Sequence, residues 1–323
     1  MTMPPAPAGF DAGIHSDDAF AQSILNGLNA SKKGIDSKWL YDATGSQLFD
    51  TITELAEYYP TRTELGILRQ NASSLKEFVT NGAALVELGS GSSTKTRALL
   101  NVLTGLQSYV PIDISADHLQ DAADHVAREY SHLDVIPVVA DFTAEITLPS
   151  ALLDAPKIVF FPGSTIGNFE IDGAAQLLGR MRKMAGVAAF VVGVDLVKDA
   201  DILVRAYDDP KGVTAAFNLN LLTRINRDLG ADFDLSGFKH EARWVADHKR
   251  IEMHLVSQVA QDVLLLGQKI HFAAGETIHT ENSHKYTPDL LERTARQQGW
   301  LVHQFWTDAN SLFGVAVLTP YKG

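Results

Sequence analysis

The chain has 323 residues, 46% of them hydrophobic and 20% charged, which is enough apolar material for a large core and two domains. Its net charge of -12, with no cluster of lysine or arginine, argues against nucleic acid or an anionic membrane as partner and favours a small-molecule substrate. The absence of cysteine excludes disulfides and thiolate metal sites, and no apolar run reaches the roughly 18 residues of a membrane-spanning helix.

Residues 1–10, rich in proline and alanine, lack the basic and apolar regions of a signal peptide and are expected to be the disordered start of a cytoplasmic protein. Residues 17–30 read as a helix, 37–50 alternate turn and helix signals, and Thr63 is expected to cap a helix running toward residue 80. From Ala83 strands and helices alternate, with strands expected near 83–88, 108–113, 135–140, 157–161 and 187–195. This is the pattern of an α/β, doubly wound parallel sheet. The rhythm breaks after residue 198, where one long helical stretch from Asp199 through Leu229 precedes strands at 239–245, 250–258, 262–266 and 268–272. A helix at 288–298 and strands at 300–306 and 313–319 return to the sheet as an antiparallel pair at its edge. The expected division is therefore 63–197 with 285–323 as the sheet domain, and 11–62 with 198–284 as a smaller α+β substrate-binding domain. The second would cover the carboxyl ends of the parallel strands, where ligands of such sheets bind.

The first strand ends in Glu87 and turns through Gly89 and Gly91 into a helix. Glycines in such a turn let a ligand approach the backbone and meet its free N–H groups. A dinucleotide fingerprint wants its third glycine, and a phosphate loop its second, at the position held by Thr94, although Lys95 stands where the loop lysine belongs. S-adenosylmethionine carries a sulfonium, an ammonium and no phosphate, so acids that would repel a diphosphate are welcome beside it. Glu87, Asp113 for the ribose hydroxyls, and Asp141 with Phe142 for the adenine amino group and ring suit that cofactor. They favour it over another nucleotide or a purely structural turn, though Asp113 alone would serve NAD equally. The fourth strand runs into a glycine-rich turn holding Asn168, whose donor and acceptor match an amino acid's carboxylate and amine.

The segments 57–64, 86–91, 160–169 and 276–286 together resemble the histidine-specific Nα-methyltransferases of ergothioneine biosynthesis, and the resemblance covers nearly the whole chain. It implies a Rossmann-like class I methyltransferase sheet in a monomer, and three methyl transfers from S-adenosylmethionine to the α-amine of L-histidine, giving hercynine. Carried over by position, cofactor contacts fall on Gly89, Lys95, Asp113, Asp141 and Phe142, joined by Tyr58, Glu87 and Gly91. Amino-acid contacts fall on Tyr41, Tyr58, Gly163, Asn168 and Tyr207, with Asn168 and Tyr207 on the carboxylate and Tyr41, Tyr58 and the Gly163 carbonyl around the amine.

Met253 would line the imidazole pocket, and Tyr41 and Phe217 would offer aromatic faces to the growing cation. Glu281 and Ser283, two apart in an extended segment, would point to one face and engage the two imidazole nitrogens, with Asn282 facing away. Catalytic duty is assigned to Tyr41, Tyr58 and Asn168; Tyr41 is expected to orient the amine first and act as base second, since a tyrosine is a weak base at neutral pH. No paired-histidine metal motif appears, and no metal is expected. The alternatives are an Nα-methyltransferase of another aromatic amino acid such as tryptophan, a phosphate-loop ATPase or kinase, and a non-catalytic S-adenosylmethionine-binding protein.

Overall fold

The computed structural model describes residues 13–91 and 94–321; the expectation for residues 1–10 lies outside them. Three helices come first, α1 (Gly13–Asn29), α2 (Ala43–Thr53) and α3 (Tyr59–Asn71). Thr63 lies inside α3 rather than capping it: the helix starts at Tyr59, with Pro60 in the first turn, where a missing N–H costs nothing and a fixed φ is pre-organised.

Strands β1 (Ala84–Leu88), β2 (Ser108–Asp113), β3 (Asp134–Val135), β4 (Val138–Val139), β5 (Lys157–Phe161) and β6 (Val187–Asp195) then alternate with α4 (Thr94–Leu100), α5 (Ala116–Glu129) and α6 (Ile171–Lys183). The single strand expected at 135–140 is split into β3 and β4, both paired with β2, because Pro137 between them has no N–H for the ladder. Every residue of β1 and β5 is buried, as befits parallel strands covered on both faces.

The long helix expected from Asp199 to Leu229 is two, α7 (Ala200–Tyr207) and α8 (Val213–Leu229). Pro210 and Gly212 at φ 72° interrupt it, and the Asp209 carboxylate accepts the N–H groups of Val213 and Thr214 at 3.1 and 2.8 Å. Strands β7 (Phe238–Val245), β8 (Arg250–Ser257), the hairpin β9 (Gln261–Leu265) and β10 (Gln268–Phe272), and β11 (Thr277–His284) follow. The last is a full strand where the sequence shows only an extended segment; it pairs with β8 to make a three-stranded sheet in the order β11-β8-β7. Helix α9 (Pro288–Gln297) and strands β12 (Trp300–Thr307) and β13 (Phe313–Pro320) close the chain, and the large sheet runs β12-β13-β6-β5-β1-β2-β3 with β12 and β13 antiparallel.

The two faces of this sheet have separate cores. Val86, Val159, Phe161 and Val192 pack with α6 and α9 on one side; Leu85, Ile158, Phe160 and Val191 pack with α3 and α4 on the other. A third core draws its buried residues from 20–59 and 203–278, among them Ile24, Leu40, Tyr58, Phe217 and Leu255. Helix α3 belongs to two cores, through Tyr59 in the third and Ile67 and Leu68 under the sheet, so it runs through the division expected at residue 62. Among the described residues no helix is long and apolar enough to cross a membrane.

Candidate active site

At the carboxyl ends of β1 and β2 lies a cavity of about 570 Å³, within the usual range for a small-molecule site. Gly89, Gly91, Asp113, Asp141 and Phe142 line it, as expected of the cofactor residues. Gly89 holds φ 69°, its N–H donates to the Ile112 carbonyl at 2.8 Å, and a side chain there would stand 3.5 Å from the Phe142 ring. Asp36, Asp50, Asp113, Asp141 and Glu281 face the cavity against one lysine, Lys38, a charge balance that suits a sulfonium and disfavours a diphosphate. Burial pushes the Asp141 carboxyl up, but hydrogen bonds from Thr143 and from Lys38, at 3.1 Å, outweigh it and hold it below the ordinary range.

Three residues expected at the cofactor, Tyr58, Glu87 and Lys95, do not line this cavity. Glu87 is 1% exposed and accepts the hydroxyls of Thr96 and Tyr109, both at 2.5 Å, so it ties α4 and β2 together beneath the turn. Burial pushes it up to about 7 against those hydrogen bonds. Lys95 pairs at 2.6 Å with Glu64, a fully buried carboxylate of α3 that also accepts the Gly163 N–H at 2.8 Å. A buried carboxylate needs such a partner, and Lys95 serves the Gly163 turn. That turn is tight: Gly163 has φ 81° and the next residue, Ser164, φ 59°, held there as its hydroxyl accepts the Asp195 N–H at 2.8 Å.

Behind the cavity is a smaller chamber, and every residue expected to touch the amino acid lines it: Tyr41, Tyr58, Gly163, Asn168, Tyr207, Phe217, Met253, Glu281 and Ser283. Tyr58, also expected at the cofactor, lines this inner chamber and not the outer cavity. The two spaces share a wall made by Tyr41, Phe49, Thr165, Asn168 and Glu281. Phe49 and Thr165 carry no role in the sequence reading. Phe49 is two turns along α2 from the Tyr41 loop, and its ring centroid lies 5.6 Å from Tyr41, 6.0 Å from Phe217 and 6.1 Å from Tyr58. With Tyr41 and Phe217 at 5.5 Å and Tyr58 and Tyr207 at 6.0 Å, five aromatic rings form a continuous wall.

Electrostatics assign states to these groups. Burial, reinforced by Glu281 and neighbouring acids or tyrosines, pushes Tyr41, Tyr58 and Tyr207 well above the ordinary phenol value. All three are therefore neutral hydroxyls at pH 7, which supports orientation over proton abstraction. Burial also raises Glu281, to about 7, although the Lys285 charge and hydrogen bonds from Asn168 and Tyr41 oppose it. The Asn168 amide donates to Glu281 at 3.1 Å, so two residues expected at opposite ends of the amino acid meet each other here.

Glu281 reaches the chamber through an irregularity in β11. His279 pairs with His254, but Glu281 pairs with Met253, leaving Thr280 as an extra residue. Directly opposed residues share a face. In unbroken register Glu281 would join His279 and His254, whose rings stack at 5.0 Å; the shift turns it, and Ser283 opposite Ile251, toward Met253 and the buried side. Asn282 points to the other face and donates to Glu170 at 3.2 Å, while also reaching the rim of the outer cavity.

In the doubly wound sheet β13 runs antiparallel between β6 and the edge strand β12. The family model for histidine-specific, SAM-dependent methyltransferases matches residues 20–320. The chain is similar to a histidine N-alpha-methyltransferase of Mycolicibacterium smegmatis, 40% identical over 96% of this chain and 98% of that one. It is 41% identical to the histidine N-alpha-methyltransferase of Mycobacterium tuberculosis, over 93% of this chain and 94% of that one. An ergothioneine biosynthesis protein 1 of Neurospora crassa is 29% identical over 88% of this chain, a match that spans 33% of the fungal protein. With a match across nearly all of its length and an acid-lined cavity that shares a wall with an aromatic chamber, the chain belongs to the histidine-specific, S-adenosylmethionine-dependent methyltransferase family.

Proposed function

We propose that this protein methylates the α-amine of L-histidine three times with S-adenosylmethionine, producing hercynine for ergothioneine biosynthesis. The observation that carries this reading is the single inner chamber lined by all nine residues expected to hold the amino acid, sharing a wall with the cavity expected to hold the cofactor. Gly89, Gly91, Asp113, Asp141 and Phe142 would hold the cofactor; Glu87 and Lys95 would support them from behind. When bound, S-adenosylmethionine supplies a methyl group on a sulfonium, open to direct displacement by an amine.

The protein's own task is alignment, which makes an encounter of two ligands nearly unimolecular. Asn168 and Tyr207 hold the carboxylate, and Tyr41, Tyr58 and the Gly163 carbonyl surround the amine. The amine must be neutral to attack; tyrosines this firmly protonated orient its lone pair and leave the departing proton to water. As N–H donors are replaced by methyl groups, the faces of Tyr41, Phe49 and Phe217 suit the growing cation. Glu281 and Ser283 read the imidazole. The net charge of -12 supports a free amino acid over a polyanion as partner, and the reading has a cytoplasmic monomer acting without metal or membrane.

Incubation with S-adenosylmethionine and a mixture of the common amino acids, followed by mass measurement, tests this. Histidine is expected to gain three methyl groups. Tryptophan or tyrosine gaining mass while histidine does not would overturn the substrate assignment, and cofactor binding with no turnover would favour a non-catalytic role.

A further inference from the structure

The inner chamber is assigned a substrate carboxylate but has no cation of its own. Among the described residues its lining holds one ionisable acid, Glu281, and no lysine, arginine or histidine. The carboxylate falls to Asn168 and Tyr207, both neutral, and a charge in such a place is costly unless an opposite charge stands close. Glu281 on the same wall deepens the need, because when ionised it repels a second carboxylate.

A cation lies one hydroxyl away. Lys285, the residue after β11, is fully buried and donates to Asp195 Oδ2 at 2.9 Å, Tyr207 Oη at 3.1 Å and Ser283 Oγ at 2.6 Å. Three donated bonds need an ammonium, since a neutral amine has only two N–H groups. Burial weakens the hold of Lys285 on its proton, and Asp195 opposes that effect. Asp195 does not belong to Lys285 alone: Lys198 meets it at 2.5 Å and the Tyr59 hydroxyl at 2.8 Å. Lys95, behind the Gly163 turn, is by contrast matched at 2.6 Å by Glu64.

The hydroxyls of Tyr207 and Ser283 are 2.7 Å apart, and either can donate to the other. When Tyr207 gives its one proton to a carboxylate, its oxygen can only accept, from Lys285 and from Ser283. Each bond accepted by the phenol oxygen strengthens the one that it donates. Neither Lys285 nor Asp195 lines the chamber, so the charge is felt there through Tyr207.

We propose that Lys285 is the counter-charge of the substrate's α-carboxylate, a positioning residue that acts through Tyr207 and makes the chamber select a free amino acid over its uncharged amide. This rests on the reading that histidine occupies the inner chamber with its carboxylate at Asn168 and Tyr207. The test is the ratio of the dissociation constants of L-histidinamide and L-histidine, measured by calorimetry with S-adenosylhomocysteine saturating. The parent is expected to favour histidine by about tenfold or more. Lys285→Met, in which Asp195 keeps Lys198 and Tyr59, is expected to lower that ratio about tenfold. Losses that arise from Glu281 or from the shape of the chamber fall on both ligands and cancel.

Lys285→Gln keeps an N–H donor without the charge and is expected to match the methionine variant within about threefold; it carries the test should that variant not fold. A parent ratio near one, a ratio unchanged in Lys285→Met, or a parent-like ratio in Lys285→Gln would overturn the inference and leave the histidine reading standing. A parent protein that binds S-adenosylhomocysteine but neither histidine nor its amide would overturn both.

Discussion

The outer cavity takes Gly89, Gly91, Asp113, Asp141 and Phe142 from turns at the ends of neighbouring strands, all within one stretch of alternating strand and helix, and is closed by residues 34–50 and 279–282. The inner chamber is built from side chains of segments far apart in sequence: the loop and helix at 41–58, the turn at 163–168, α7 and α8, and strands β8 and β11. A backbone turn tolerates change in its neighbours, because glycine and strand register define it. A chamber of side chains depends on the core beneath it, here the third core of residues 20–59 and 203–278. The contrast separates two demands on a methyltransferase: one reagent common to many reactions, and one acceptor that must be recognised.

The sharpest way to break this comparison is Glu281→Ala. If recognition of the amino acid resides in the inner chamber, kcat/KM for histidine should fall by about a hundredfold or more, the scale for a site that loses its partner for a substrate N–H. S-adenosylhomocysteine affinity should change by less than about threefold by calorimetry; parallel loss of both would show that the chambers are not separable. Gly89→Val probes the outer side. A β-branched residue at φ 69° costs on the order of 1–2 kcal/mol, and its Cβ alone would already stand in contact with the Phe142 ring at 3.5 Å. Cofactor affinity should drop about tenfold through distortion of the turn; unchanged affinity would mean that the cofactor does not depend on this backbone.

The smallest expected effect is a pH dependence. Burial first of all, against Lys285, raises Glu281 from 4.5 to about 7, so below pH 7 the group takes a proton and stops accepting the ring N–H. Activity on histidine should therefore gain an acid limb near pH 7 that is lost in Glu281→Gln. Stability should move the other way. Between 4.5 and about 7 the folded chain binds this proton more tightly than the unfolded chain, so the contribution of Glu281 to stability falls as pH rises through that window. The Tm advantage of Glu281→Gln over the parent should accordingly grow from pH 5.5 to pH 8, and a constant difference would sink the assignment.

The alternation of apolar runs and glycine turns was enough to determine the sheet, the antiparallel pairing of its last two strands and the glycine turn at the acid-lined cavity, because each depends on neighbours in the chain. The resemblance of four segments supplied the amino-acid set. Three local errors have one origin, a proline or glycine whose effect needs the backbone partner to be known: Pro60 starts α3, Pro137 splits a strand, and Pro210 with Gly212 divides a helix.

What only the tertiary structure decided is which face each side chain serves. Glu87 is expected at the cofactor from its place at the turn and Lys95 from the resemblance, and the folded chain gives Glu87 the hydroxyls of Thr96 and Tyr109 and pairs Lys95 with Glu64. Phe49 entered the chamber wall with no signal beyond its place on α2. Glu281 and Ser283 share a face in any extended strand, but whether it is the buried one turns on the extra residue Thr280, since a shift of one position exchanges the two sides of a strand. Periodicity gives the spacing of side chains along a strand; register against β8 gives their direction, and that pairing exists only once the chain has folded.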